Sequence, residues 1–258
     1  MPSSVLVKDF LERVSSQLLD LAPQFDRWSE TELVDATNDG QLVLAKYMPH
    51  TCARVDAVKL SAGTRQYIGY IPAAMILPSD GSSPTDTYGA MLQGVHRYMG
   101  VNGTAPGNAI RIADKETLDA VSPDWHTKTG TPRQYTFDPR NPKHFYVSPG
   151  VKPGDSVWVE VSMLADPPKI PNTGNLYGSA SASTTKLSID DRNVDDLFHY
   201  VMARANLKDA EYGGNAALAS TYINLFVGSV NAQVAALTGV NPNLKTLPLN
   251  PAAPASAS

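Results

Sequence analysis

From Val7 the apolar residues Phe10, Leu11, Val14, Leu18 and Leu21 recur at helical spacing, with Lys8, Glu12, Arg13 and Gln17 on the opposite side. The pattern predicts an amphipathic helix that ends before Pro23. A second helix is announced by Ser29-Glu30-Thr31-Glu32, where the serine hydroxyl and the glutamate three residues on can satisfy each other's unpaired backbone donors. Trp28 and Leu33 stand at the positions of a hydrophobic staple, and the helix should run through Leu44 to about Tyr47, stopped by Pro49. The short Pro23 segment between the two helices predicts an antiparallel hairpin.

After His50 the period drops to two. Residues 54–60, Gln66–Ile71, Met91–Met99, Gln134–Phe137, His144–Val147 and Ser156–Leu164 read as strands, separated by turns such as Asp138-Pro139-Arg140-Asn141-Pro142. One short helix is expected over Ala113–Ala120. Residues 171–187, rich in Gly, Ser, Ala and Thr, read as a linker or exposed loop. Helix then returns: Ser188 or Asp190 can cap a segment whose inner face is Val194, Leu197, Phe198, Val201, Met202 and Ala205. Gly213-Gly214 breaks the chain before a last helix carrying Leu218, Tyr222, Phe226, Val230 and Leu237, which ends near Gly239.

The expected fold class is therefore α+β: a four-helix core formed by N- and C-terminal helix pairs, with a central β-rich insertion and an extended C-terminal tail. The corresponding segments are 1–50, 51–187 with the Gly/Ser loop at its end, 188–240, and the tail 241–258. That tail is low in complexity and rich in Pro and Ala, so it should be extended by itself. Leu244, Leu247 and Leu249 are its apolar anchors for a partner.

Charge and composition narrow the function. Lys plus Arg number 21 against 25 Asp plus Glu, a net charge of −4, which disfavours a sequence-independent nucleic-acid binder needing a basic face. One cysteine, Cys52, rules out an intramolecular disulfide and leaves zinc without a cysteine ligand set. No run of eighteen apolar residues occurs and the N-terminal stretch lacks a signal-peptide pattern, so no membrane association is expected.

Candidate chemistry fails on spacing. There is no GxSxG pentapeptide and no phosphate-loop lysine, and the glycine-rich stretch Gly100–Gly107 lacks GxGxxG spacing. The histidines His50, His96, His126, His144 and His199 are scattered, without HExxH or HxH pairs. The acidic run Asp190–Asp196 lacks the glycine and distant glutamate of a calcium loop and is better explained as carboxylates at the positive end of a helix. No catalytic residue, metal or cofactor is expected. Of the aromatics Trp125, Tyr135, Phe137, Phe145, Tyr146 and Trp158, most read as core and cross-strand pairs. Trp125, in the turn-like Ser122-Pro123-Asp124-Trp125-His126, is the exception and is the candidate anchor for a neighbouring subunit.

Several strings carry a family resemblance: Phe10-Leu11-Glu12-Arg13-Val14, Arg27-Trp28 and Asn38-Asp39-Gly40-Gln41; Ala113–Ala120 with Pro123-Asp124-Trp125-His126; Tyr135–Lys143; and Asp166-Pro167-Pro168. Together they resemble the head-to-tail adaptor (neck or connector) proteins of tailed bacteriophages, podovirus-like. The resemblance implies a virion protein that is assembled in the host cytoplasm. Its copies would form a ring, twelvefold, between the portal protein and the tail tube or nozzle proteins, through which DNA passes at ejection without specific binding. The Gly/Ser loop and the Pro/Ala tail depart from the family pattern. Two other readings compete: a carbohydrate- or host-receptor-binding tail module, which needs an exposed aromatic groove, and an enzyme, which needs titratable groups converging in a pocket.

Overall fold

In the computed structural model, which describes residues 3–20, 27–172, 184–208 and 213–240, the first helix, α1, spans Val7–Gln17. Val7, Phe10, Leu11 and Val14 form its buried stripe. It stops earlier than the apolar pattern suggests: Leu18 caps it, and Leu19 takes a left-handed φ of 57° and stands 89% exposed. Leu21 and Pro23 lie outside the described residues. The second helix, α2 (Glu30–Tyr47), begins with the expected capping box: Ser29 N donates to Glu32 Oε2 at 3.1 Å and Glu32 N to Ser29 Oγ at 3.3 Å. Trp28 and Leu33 are both buried in the same core cluster, as the staple requires.

Two compact units divide the chain, Met1–Thr51 with Pro167–Ser258, and Cys52–Asp166. In the first, α4 (Val194–Lys208) is the hub on which α1, α2 and α5 (Gly213–Val240) each pack. All six residues of the expected α4 inner face are buried. Asp190 caps a single 3-10 turn, Asp191–Asn193, that leads into α4. Gly213 and Gly214 are the first residues of α5, and the residues joining it to α4 lie outside the description.

The four-helix core of two helix pairs is not what forms. Among the described residues there are five α-helices and two four-stranded sheets. α1 and α2 take α4 as their main partner rather than each other. Among its described residues α5 buries Ala219, Phe226 and Val230, with Tyr222 and Val234 packed partly buried against the cluster, which the non-helical residues Ile170, Leu187 and Ile189 complete. The physical reason is close approach. Gly40 on α2 lies so near α4 that a Cβ there would meet Leu197 Cδ1 at 2.5 Å and Tyr200 Cδ1 at 2.9 Å.

The second unit holds β1 (Ala53–Lys59), β2 (Gly63–Tyr67), β3 (Ile76–Pro78), β4 (Gly89–Tyr98), β5 (Arg111–Ile112), α3 (Lys115–Val121), β6 (Gln134–Phe137), β7 (His144–Val151) and β8 (Trp158–Ala165). One sheet has the order β3-β1-β8-β4, the other β2-β7-β6-β5. In the first sheet every pairing is antiparallel, with Ala53 opposite Leu164 and Lys59 opposite Trp158. In the second, β5 and β6 run parallel. Val58, Leu92, Val95, Val159, Val161 and Met163 of one sheet and Tyr135, Phe145, Val147 and Val151 of the other share one core. Period-two alternation of burial holds in β2 and over most of β8, whereas β1 buries Asp56, Ala57 and Val58 in succession and leaves Val55 39% exposed. β3 and β5, at three and two residues, are too short to carry a period.

Candidate assembly surfaces

Trp125 is 1% exposed, so its ring lies inside its own unit. Its indole N–H donates to Asp119 Oδ1 at 2.7 Å, His126 stacks on it with centroids 3.6 Å apart, and Tyr146 meets it edge-on at 6.2 Å. The hydrogen bond ties the turn after α3 back to that helix, which Asp114 caps by accepting from Thr117 N at 2.9 Å. Leu244, Leu247 and Leu249 lie outside the described residues, as do residues 173–183, the centre of the Gly/Ser loop.

The aromatic residues sort clearly. Trp125, Tyr135, Phe145 and Trp158 are all buried, so four of the six candidates for a sugar platform are core. Among the described residues the exposed tyrosine rings are Tyr67, Tyr70 and Tyr88, which no aromatic pattern in the sequence singled out. Tyr70 pairs with Tyr88 at 5.4 Å and donates to Asp86 Oδ2 at 3.0 Å, which raises the Tyr70 phenol above its ordinary pKa. An open cleft of about 670 Å³ lies beside Lys115, Asp138, Asn141, His144 and Tyr146. In it, Asn141 Oδ1 faces His144 Nδ1 at 2.9 Å and Asp138 Oδ1 accepts from Arg140 N at 2.9 Å, so these polar groups hold their own loops.

The acidic run is accounted for by capping and pairing. Asp191 accepts from Ser4 N at 2.8 Å and Ser4 Oγ at 2.6 Å and also bonds Ser3 Oγ, contacts that hold its carboxyl below the ordinary value. Asp195 pairs with Arg13 at 2.8 Å. Buried Asp196 accepts from Gln233 Nε2 at 2.6 Å and so ties α5 to α4. Among the described residues no group of three His, Cys, Asp or Glu side chains is placed to hold a metal ion.

Ion pairs cross the helical unit. Lys208 reaches Glu32 at 2.7 Å, and this bond holds the Glu32 carboxyl below its usual range. Arg204 lies 3.7 Å from Asp39. Burial, aided by the charge of Arg192, pushes the His50 imidazole down.

The largest departure from an ordinary protein surface is α5. Its 28 residues include no Asp, Glu, Lys, Arg or His. Leu218, Ile223, Leu225 and Val227 are 48%, 38%, 48% and 43% exposed. Leu218, which the apolar spacing groups with Phe226 and Val230, is among the exposed residues, while Ala219 beside it is buried at 2%. Among the described residues α4 is the main partner of α5, and the exposed side of α5 carries these apolar residues among the uncharged Ala217, Ser220, Thr221 and Asn224. No helix among the described residues is long and apolar enough to cross a membrane.

Exposed apolar side chains grouped on one helix offer contact surface, a feature of assembly proteins. The model of the SU10 adaptor protein family matches residues 6–243, and the chain belongs to that family of structural phage adaptors. Its place is the virion, in the connection between head and tail. Comparison with curated proteins gave no match.

Proposed function

We propose that this protein is the neck subunit of a podovirus-like particle, whose copies assemble as a ring between the portal protein and the tail tube or nozzle proteins and line the DNA channel. The family match over residues 6–243 carries the reading, because it spans both units and not a single motif. A net charge of −4 per copy supports the channel role, since a negative lumen repels the phosphate backbone and lets DNA slide through at ejection. A basic lumen in the assembled ring would sink that part.

The subunit is made in the host cytoplasm and is monomeric or weakly associated until it meets the portal. Mixing the purified chain with its portal and imaging the product tests this; rings are expected, and persistent free monomer overturns it. Leu244, Leu247 and Leu249 anchor the tail on a neighbour. Deleting residues 241–258 leaves the thermal midpoint unchanged and lowers the yield of assembled particles, and unaltered yield removes the tail from the mechanism. Trp125 acts on a neighbouring subunit through the turn that it holds in place.

A further inference from the structure

Relative to buried Phe226, the 3.6-residue turn puts Leu218 and Leu225 roughly 90° to one side and Ile223 and Val227 roughly 80° to the other. Between them, on the outward midline, fall the small residues Ala217, Asn224 and Gly228, and a Cβ on Gly228 would meet nothing within 4 Å. α5 therefore presents two separate apolar shoulders on opposite sides, divided by a low, neutral strip.

We infer that α5 is the side-to-side contact between copies of this chain, the Leu218/Leu225 shoulder of one copy packing on the Ile223/Val227 shoulder of the next. The inference rests on the ring reading and adds to it the surface, its polarity and its chemistry.

Three observations select a second copy as the occupant. Copies at −4 repel one another, so a contact between them belongs where no charge has to be desolvated, and α5 supplies 28 consecutive uncharged residues. The two shoulders differ in shape and lie on opposite sides of one helix, so they suit a head-to-tail contact that repeats and closes, whereas one self-complementary patch stops at a dimer. Size agrees as well. The shoulders run from Leu218 to Val227, about 14 Å of a helix about 10 Å wide, so one shoulder contact buries on the order of 300 Å² in total, well below the roughly 1,200 Å² of a lasting pair. One such contact does not hold two free subunits together; a closed ring gives every subunit two.

The test uses the full chain, its portal and the introduction of opposite charges on the two shoulders. Leu225→Glu and Val227→Lys are each expected to cut the fraction of chain in rings at least tenfold, with an unchanged circular dichroism spectrum and thermal midpoint, because both side chains are exposed in the monomer. The double variant, or an equimolar mixture of the two single variants, is expected to restore rings, since the carboxylate introduced at position 225 of one copy then faces the ammonium introduced at position 227 of the next; residues two apart on one helix do not pair with each other. If the single variants form rings as well as the wild type, the inference fails and the ring reading stands. If each blocks assembly and neither combination rescues it, the shoulders do not meet and the assigned polarity is wrong. A midpoint lowered by either single change shows that another part of the same chain covers α5, which also overturns it. If the wild-type chain forms no ring on its portal, the underlying reading fails first, and that result is separate from all of these.

Discussion

Gly40 sets local helix preference against tertiary packing, and the two predict opposite signs for one methyl group. Replacing glycine by alanine inside a helix favours folding by about 1 kcal/mol through backbone entropy alone. At Gly40 the added Cβ meets Leu197 Cδ1 at 2.5 Å and Tyr200 Cδ1 at 2.9 Å. Leu197 is fully buried and cannot swing away without displacing the cluster around it. Overpacking of this kind costs about 1–3 kcal/mol, so Gly40→Ala should lose up to about 2 kcal/mol net. For a protein of this size that is a drop of up to about 8 °C in thermal midpoint, followed by circular dichroism at 222 nm. Gly228→Ala is the matched control, because nothing stands within 4 Å of its Cβ and the helix-propensity gain should appear alone, a rise of about 2–4 °C. A higher midpoint for Gly40→Ala would refute the close seating of α2 on α4.

Two further changes probe the frame. Asp119→Ala strands the buried indole N–H of Trp125 and should cost the Cys52–Asp166 unit about 1–3 kcal/mol, seen as a loss of near-ultraviolet tryptophan signal at lower urea; an unchanged midpoint means that the 2.7 Å bond contributes nothing. His50 binds its proton less readily in the folded chain than in the unfolded one, so its contribution is intact above its ordinary value of 6.5 and is lost as pH falls through the lower folded value. The stability gap between wild type and His50→Gln should therefore shift against the wild type between pH 7.5 and 5, and a gap independent of pH contradicts the burial of that ring.

How much of this was legible in the sequence depends on where polar and apolar residues alternate. The capping box at Ser29 and Glu32, the inner face of α4 and the alternation of β8 follow from local pattern, because each element has one wet and one dry side and its period records which is which; in β1 the fold instead buries Asp56 and exposes Val55. β3 and β5 have too few residues for any period. Trp125 illustrates a different limit: its turn context was visible, but Asp119, His126 and Tyr146 enclose the ring through contacts that only the fold assembles. The exposed Tyr70 and Tyr88 likewise come together through the bridge between Ile71 and Thr87.

Helix α5 marks the boundary most clearly. Its sequence determines that it is a helix, that it carries no charge and that its far end lies near Gly239. Which side turns inward was decided by tertiary structure: Leu218 and Ala219 are both apolar, and their neighbours give no charged face by which to choose between them. The choice fell to the fit of Ala219, Phe226 and Val230 against α4 and to the bond from Gln233 to Asp196. In the same way the sequence marked Val194 to Ala205 as a face to be buried, and only the folded chain made α4 the hub of α1, α2 and α5, because hydrophobic patterning records burial without naming the partner.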